Sequence, residues 1–213
     1  MSDTPHDQPK LGSGCGPKTL AELYDLYRER YKFVHGALQT FNEMPVELLF
    51  EISAAWDHLS RHFATQQDAP LDQCVNRAAG HVKRAILDGN KLLLKQVVDE
   101  YGDLQSVDTS LIATGEFDRD MRCLMYDIRI AAIDARIKEG DTAGPSGWYG
   151  SFEVWDTVFA KCQKFREEFS LNPKVDWARR KTAEFTWKRR LEGFCVGLLA
   201  SGVIAFFVWL LSG

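Results

Sequence analysis

Two stretches of this chain carry histidines, arginines and acids at spacings that align them on helix faces. Glu51, His58 and His62 fall at offsets of zero, seven and eleven, which is one face of an α-helix. Asp57 and Arg61 form a second pair four apart in the same segment. Farther along, His81, Arg84, Asp88 and Lys91 share a face, with Arg77 one turn before His81. If the two faces meet, imidazoles, guanidiniums and carboxylates converge on a spot suited to general acid–base chemistry. The same residues also suit a salt-bridge network between two helices, or two solvated faces. No metal is expected, because His58 and His62 stand four apart without the His-Glu-x-x-His pattern. No phosphate-binding glycine loop, dinucleotide fingerprint or Gly-x-Ser-x-Gly elbow occurs, and no cofactor is expected.

A second arrangement is Arg30-Tyr-Lys-Phe-Val-His35, an arginine and a histidine separated by four residues; Arg28 stands six residues before the same histidine. With the polar-studded stretch from Glu51 to Arg61, it resembles the helical HEPN-type domains of bacterial conflict systems. Those domains cleave RNA without a metal through an Arg-x(4–6)-His motif, and some are joined to membrane spans. The resemblance covers the general architecture of residues 18–140. It implies a metal-independent ribonuclease with Arg30 and His35 as candidate catalytic residues; the cluster around His58 and His81 is the alternative. This chain departs from the family in carrying Tyr31 after the arginine, and in placing the motif in its first helix.

Helices must position these groups, since no strand pattern stands out and helical periodicity recurs. Leu20, Tyr24, Tyr27, Tyr31, Val34, Leu38 and Phe41 form one heptad seam, closed by Asn42 and Pro45. A second helix is predicted from Val46 to about Ala64, with Leu49, Phe50, Ser53, Trp56 and Phe63 inward. A third starts near Leu71 with Val75, Ala78, Val82, Ile86, Leu93 and Val97 on its stripe, weakened at Gly89 by about 1 kcal/mol. Gly102 to Gly115 reads as a connector with a short helical turn. A fourth helix uses Phe117, Met121, Leu124, Ile128, Ala131 and Ala135. A glycine-rich loop from Gly140 to Gly150 leads to a fifth, with Trp155, Val158, Cys162, Phe165 and Phe169, stopped at Asn172-Pro173. The sixth starts near Val175 and meets no further proline. The predicted fold class is all-α: an antiparallel helical bundle of about five helices followed by a single C-terminal transmembrane helix. Four segments are expected: a disordered N-terminal arm (1–17), a cytosolic bundle (18–172), a basic juxtamembrane helix (173–192) and the span (193–213).

Gly193 to Gly213 carries no charged side chain and reaches about 31 Å as a helix, the thickness of a bilayer's hydrocarbon core. Lys188, Arg189 and Arg190 precede it and are candidate lipid-headgroup contacts; by the positive-inside rule the bundle stays in the cytosol and the C-terminus crosses. Trp177, Trp187 and Trp209 suit interfacial anchors. Gly193, Gly197, Ser201 and Ala205 recur every four residues, a small-residue face on which membrane helices approach closely, and are the candidate oligomerisation residues.

The net charge of −4 gives no global pull toward nucleic acid, but Lys174 to Arg190 holds seven basic residues against Asp176 and Glu184. Five scattered cysteines without Cys-x-x-Cys spacing speak against a disulfide framework or zinc site and fit a reducing cytosol. Residues 1–18 lack the apolar core of a signal peptide. The function expected is a single-pass protein of the inner (cytoplasmic) membrane. Its bundle binds a partner or signal and its span self-associates, as a defence-type scaffold or membrane-perturbing effector. The alternatives are a membrane-tethered HEPN-like ribonuclease and a passive adaptor. Expected partners are membrane lipid, further copies of the chain and a cytosolic protein, with RNA only under the ribonuclease reading.

Overall fold

A computed structural model describes residues 16–39, 45–65, 70–112, 115–139 and 147–212; side chains at 65, 200 and 203–212 are not among those described. The expected arm falls almost wholly outside the described residues, as does Phe41. The chain is all-α, with six helices and no strand among the described residues. Helix α1 (20–39) joins Leu20–Leu26 to Lys32–Gln39 through a π-helical turn, Tyr27–Tyr31. Then come α2 (Val46–Thr65), α3 (Leu71–Leu104), α4 (Glu116–Glu139), α5 (150–170) and α6 (Pro173–Ser212). Helix α5 ends in a second π turn, Arg166–Ser170, and short 3-10 turns occupy Thr109–Leu111 and Gly147–Tyr149.

The helices α2, α3, α5 and α4 pack in that order as a row, with α1 laid over α3 and α5. Directions follow from paired residues. Glu51 meets Arg84 and Leu48 lies beside Gly89, so α2 and α3 run antiparallel. Trp155 meets Glu139 and Phe169 meets Phe117, so α4 and α5 do too. Lys83 faces Phe152 and Tyr101 faces Phe165, so α3 and α5 run the same way. Helices α2 to α5 therefore alternate up and down.

The predicted stripes of α3 and α5 are the buried ones: Val75, Ala78, Val82, Ile86, Leu93 and Val97, and Trp155, Val158, Cys162, Phe165 and Phe169. Fully burying a large apolar side chain such as Phe165 contributes about 1.5–3 kcal/mol. The predicted inner face of α2 is a correction. Leu48, Ala55 and Leu59 point inward, whereas Phe50, Trp56 and Phe63 are more than half exposed. Two apolar rows run along this helix, and the slimmer one sits against α3. In α1, Tyr31, Val34 and Leu38 are buried as expected, but Leu23 and Leu26 replace Leu20 and Tyr24. The π turn adds a residue to one turn and shifts the inward row.

Gly89 is not a weak point but a contact. A Cβ there would stand 2.5 Å from Val34 Cγ1 and 3.1 Å from Leu48 Cδ2, so its absence lets α1 and α2 close onto α3.

Helix α6 is capped by Asn172, whose Oδ1 accepts from Lys174 N at 3.0 Å while its Nδ2 donates to Glu168 O at 3.0 Å. Pro173 opens it, where a missing N–H costs nothing. Among the described side chains of α6, only Val175 and Ala178 are buried. Farther along, Leu191, Phe194, Val196, Leu198 and Leu199 are all exposed. Among the described residues no helix is long and apolar enough to cross a membrane. The expected span runs on through 203–213, which lies outside the side chains described.

Candidate functional site

The faces of α2 and α3 do meet, and Glu51 is where they join. Its Oε2 accepts from Arg84 Nε at 3.1 Å and lies 2.7 Å from His81 Nδ1. Arg84 NH2 also comes within 2.6 Å of His81 Nδ1. One ring nitrogen cannot both donate to Glu51 and accept from Arg84. An ionised carboxylate only accepts, so the proton sits on Nδ1, and Arg84 and His81 converge on a single oxygen. In the neutral ring this leaves Nε2 as the basic atom. The His58 ring lies 5.1 Å from that of His81, tilted by 32°.

The electrostatics of Glu51 and His58 follow from these contacts and from burial. Burial pushes the Glu51 carboxyl up, but hydrogen bonds from His81 and Arg84 outweigh it and hold the group below the usual carboxylate range. Burial pushes His58 down, and the neighbouring His81, Arg61 and Arg77 push the same way against Asp57. The site is open at the bundle flank: the His81, Glu51 and Arg84 side chains are 20, 28 and 53 % exposed. Such a dyad can accept and return a proton, with an arginine at hand for an anion.

The other polar residues go elsewhere. His62 meets the edge of Phe63, and Arg61 pairs with Asp57 within α2. Lys91 turns to Asp88 and, at 2.9 Å, to Glu139, whose other oxygen accepts from Trp155 Nε1 at 3.1 Å. Among the described residues no three potential ligands gather for a metal ion.

Arg30 and His35 take different partners. Arg30 NH1 donates to both oxygens of Asp156, at 2.9 and 2.7 Å, and its guanidinium lies 4.9 Å over Phe152. His35 stacks on Tyr31, itself stacked on Tyr27, and its Nε2 is 3.1 Å from Gln39 Nε2.

No family model, curated protein or solved structure matches the chain. The site therefore rests on its own geometry.

Three polar features were not legible in the sequence. Arg166 is 4 % exposed and reaches Glu100 at 3.5 Å; Gln96 Oε1 and Ser170 Oγ are also buried, without a partner among the described residues. Lys83 donates to Trp148 O at 2.6 Å over the Trp148 ring, and burial lowers its pKa against the pull of Glu139. A cleft of about 370 Å³ opens where α6 leaves the bundle, lined by Ser106, Val107, Arg179, Thr182, Trp187 and Arg190. Of the expected headgroup contacts, Arg190 lines this cleft, and Lys188 and Arg189 are exposed beside it. Gly193 and Gly197 have open space around them, Ser201 Oγ donates to Gly197 O at 2.8 Å, and the side chain of Ala205 lies outside those described.

Proposed function

We propose that this chain is a membrane-anchored helical-bundle protein whose α6 lodges in a bilayer and associates with other copies through Gly193, Gly197, Ser201 and Ala205. One observation carries the reading. Beyond the contact of Thr182 with Asp108, α6 leaves the bundle, and Leu191, Phe194, Val196, Leu198 and Leu199 stand exposed along it. Water is a poor solvent for such a surface, at about 25 cal/mol per Å², and lipid a good one. The basic cleft with Trp187 lies at the level where headgroups would meet the helix. The bundle then presents its flanks to a cytosolic partner, as scaffold or membrane-perturbing effector. Alkaline carbonate extraction of membranes from cells expressing the full chain tests the anchoring. The protein stays in the pellet if α6 is inserted; complete release to the supernatant would sink the proposal. Depolarisation of the cells on expression separates an effector from a passive adaptor, which leaves the potential unchanged.

The Glu51–His81–Arg84 contact favours a second reading, a tethered ribonuclease that uses His81 and His58 in place of Arg30 and His35. The full chain then cleaves single-stranded RNA without added metal, and His81→Ala abolishes cleavage. RNA left intact by the wild-type protein removes this reading.

A further inference from the structure

Helix α4 has two apolar faces. The inner one, with Met121, Met125, Ile128, Ala132 and Ala135, is buried. The outer one carries Cys123, Tyr126, Ile130, Ile133 and Ile137, all exposed, Ile137 to 71 %. Their steps of three, four, three and four are those of a coiled-coil seam.

The flanks of that seam are sorted by sign. With Cys123, Ile130 and Ile137 at the a positions and Tyr126 and Ile133 at d, the g positions are Arg122, Arg129 and Arg136. The e positions are Asp120, Asp127 and Asp134. All six are exposed. In a parallel pair of helices each g residue meets the e residue five places on in the other strand. Arg122 then faces the partner's Asp127, and Arg129 the partner's Asp134. In an antiparallel pair g faces g and e faces e, which sets arginine against arginine and aspartate against aspartate.

We infer that α4 pairs in parallel with α4 of a second copy of this chain. Within one chain the contacts described for these charges lie at the surface: Asp120 with Arg119, Arg122 with Asp118, Asp134 with Lys138, Asp127 with Lys161, and Arg129 over Tyr101. Such exposed pairs exchange at little cost. The seam is about two heptads long, shorter than a coiled coil that holds on its own, so it joins bundles already kept near each other. A parallel pair also sends both α6 helices out at the same end, as anchoring in one bilayer requires. That last point, and the proximity that lets so short a seam hold, rest on the membrane reading; the sorting of the charges along α4 does not.

Cys123 is a built-in reporter. At an a position it stands opposite its own copy in the parallel register, and far from it in the antiparallel one. The test uses the full chain in mild detergent with Cys15→Ser and Cys195→Ser, which leaves Cys123 as the exposed thiol, since Cys74 and Cys162 are buried. Mild oxidation with copper phenanthroline takes two electrons from two thiols and links the copies. The expected product is a Cys123–Cys123 dimer. Asp127→Arg with Asp134→Arg, or Arg122→Asp with Arg129→Asp, each lowers its yield at least tenfold. Mixing the two variants restores it as a heterodimer, which also shows that both are folded. Absence of the link in the parent chain overturns the proposal, as does a yield that the charge swaps leave unchanged or that mixing fails to restore. Carbonate extraction reads the membrane anchoring separately, so failure of one does not imply failure of the other.

Discussion

Gly89→Ala isolates a close contact of α3 with α1 and α2. By helix propensity alone, alanine in the interior of α3 stabilises by about 1 kcal/mol. Against that, the new Cβ stands 2.5 Å from Val34 Cγ1, 3.1 Å from Leu48 Cδ2 and 3.6 Å from Leu38 Cδ1. Carbon contacts are comfortable at about 3.5–4 Å, so Val34 must give way by about 1 Å. Valine in a helix is held in one χ1 rotamer and cannot swing aside, so the helices must separate. Overpacking of this kind costs about 1–3 kcal/mol, and the expected net loss is about 1 kcal/mol. For a chain of this length that lowers Tm by about 2–4 °C. Gly80 is the control: it lies in the same helix with nothing within 4 Å of its would-be Cβ, and Gly80→Ala is expected to stabilise by up to about 1 kcal/mol. Val34→Ala removes the clashing methyls, so the double variant with Gly89→Ala is more stable than the sum of the singles by about 1 kcal/mol or more. Urea unfolding of the full chain in mild detergent, followed by far-ultraviolet circular dichroism, measures the four variants against the wild type. Stabilisation by Gly89→Ala equal to that of Gly80→Ala would refute the packing argument.

Acidification from about pH 7.5 to 5.5 destabilises the wild type: the unfolded chain takes up a proton at the ordinary histidine value of 6.5, while folded His58 resists it. Thermal melts across that range have a flatter pH slope in His58→Gln; an unchanged slope contradicts the assignment. Glu51, also held low, loses its contribution only at more acid pH, below its ordinary 4.5, so it does not confuse this window. Arg30→Ala and Asp156→Ala each cost about 1–2 kcal/mol by denaturant titration, and the double variant costs clearly less than their sum. Cys162 is buried beside Glu100 and Arg166, and burial raises its thiol to about 12. A maleimide therefore leaves Cys162 unmodified in the folded chain at mildly alkaline pH and labels it after urea unfolding, read by peptide mass.

Periodicity located the helices well because one apolar row per helix usually suffices. It placed the buried rows of α3 and α5, whose Val82, Leu93, Trp155 and Phe165 sit centrally in the row of helices. It failed where a helix carries two rows. In α2 the aromatic row of Phe50, Trp56 and Phe63 was as regular as the aliphatic row that won. In α4 the inner row satisfied the pattern and drew attention away from Tyr126, Ile130, Ile133 and Ile137. In α1 the π turn changed the phase midway, which no fixed period foresees. The Glu51–His81–Arg84 contact was legible as two polar faces, but their meeting depended on the register of α2 against α3. Buried Arg166 was not legible, because an arginine near a helix end ordinarily reads as solvated.

The joint at Asn172 has a mechanical consequence. Its side chain is bonded to the last turn of α5 and the first turn of α6 at once, so it acts as a weld rather than a hinge. Beyond it stretches a rod of 40 residues, about 60 Å long. A rod welded at its base is a lever. A tilt of about 10° in α5, too small to open the core, moves the far end of α6 by about 10 Å. Strain entering at the bundle would thus arrive at the tip enlarged, and force on the tip would be felt as torque among Trp155, Phe165 and Phe169.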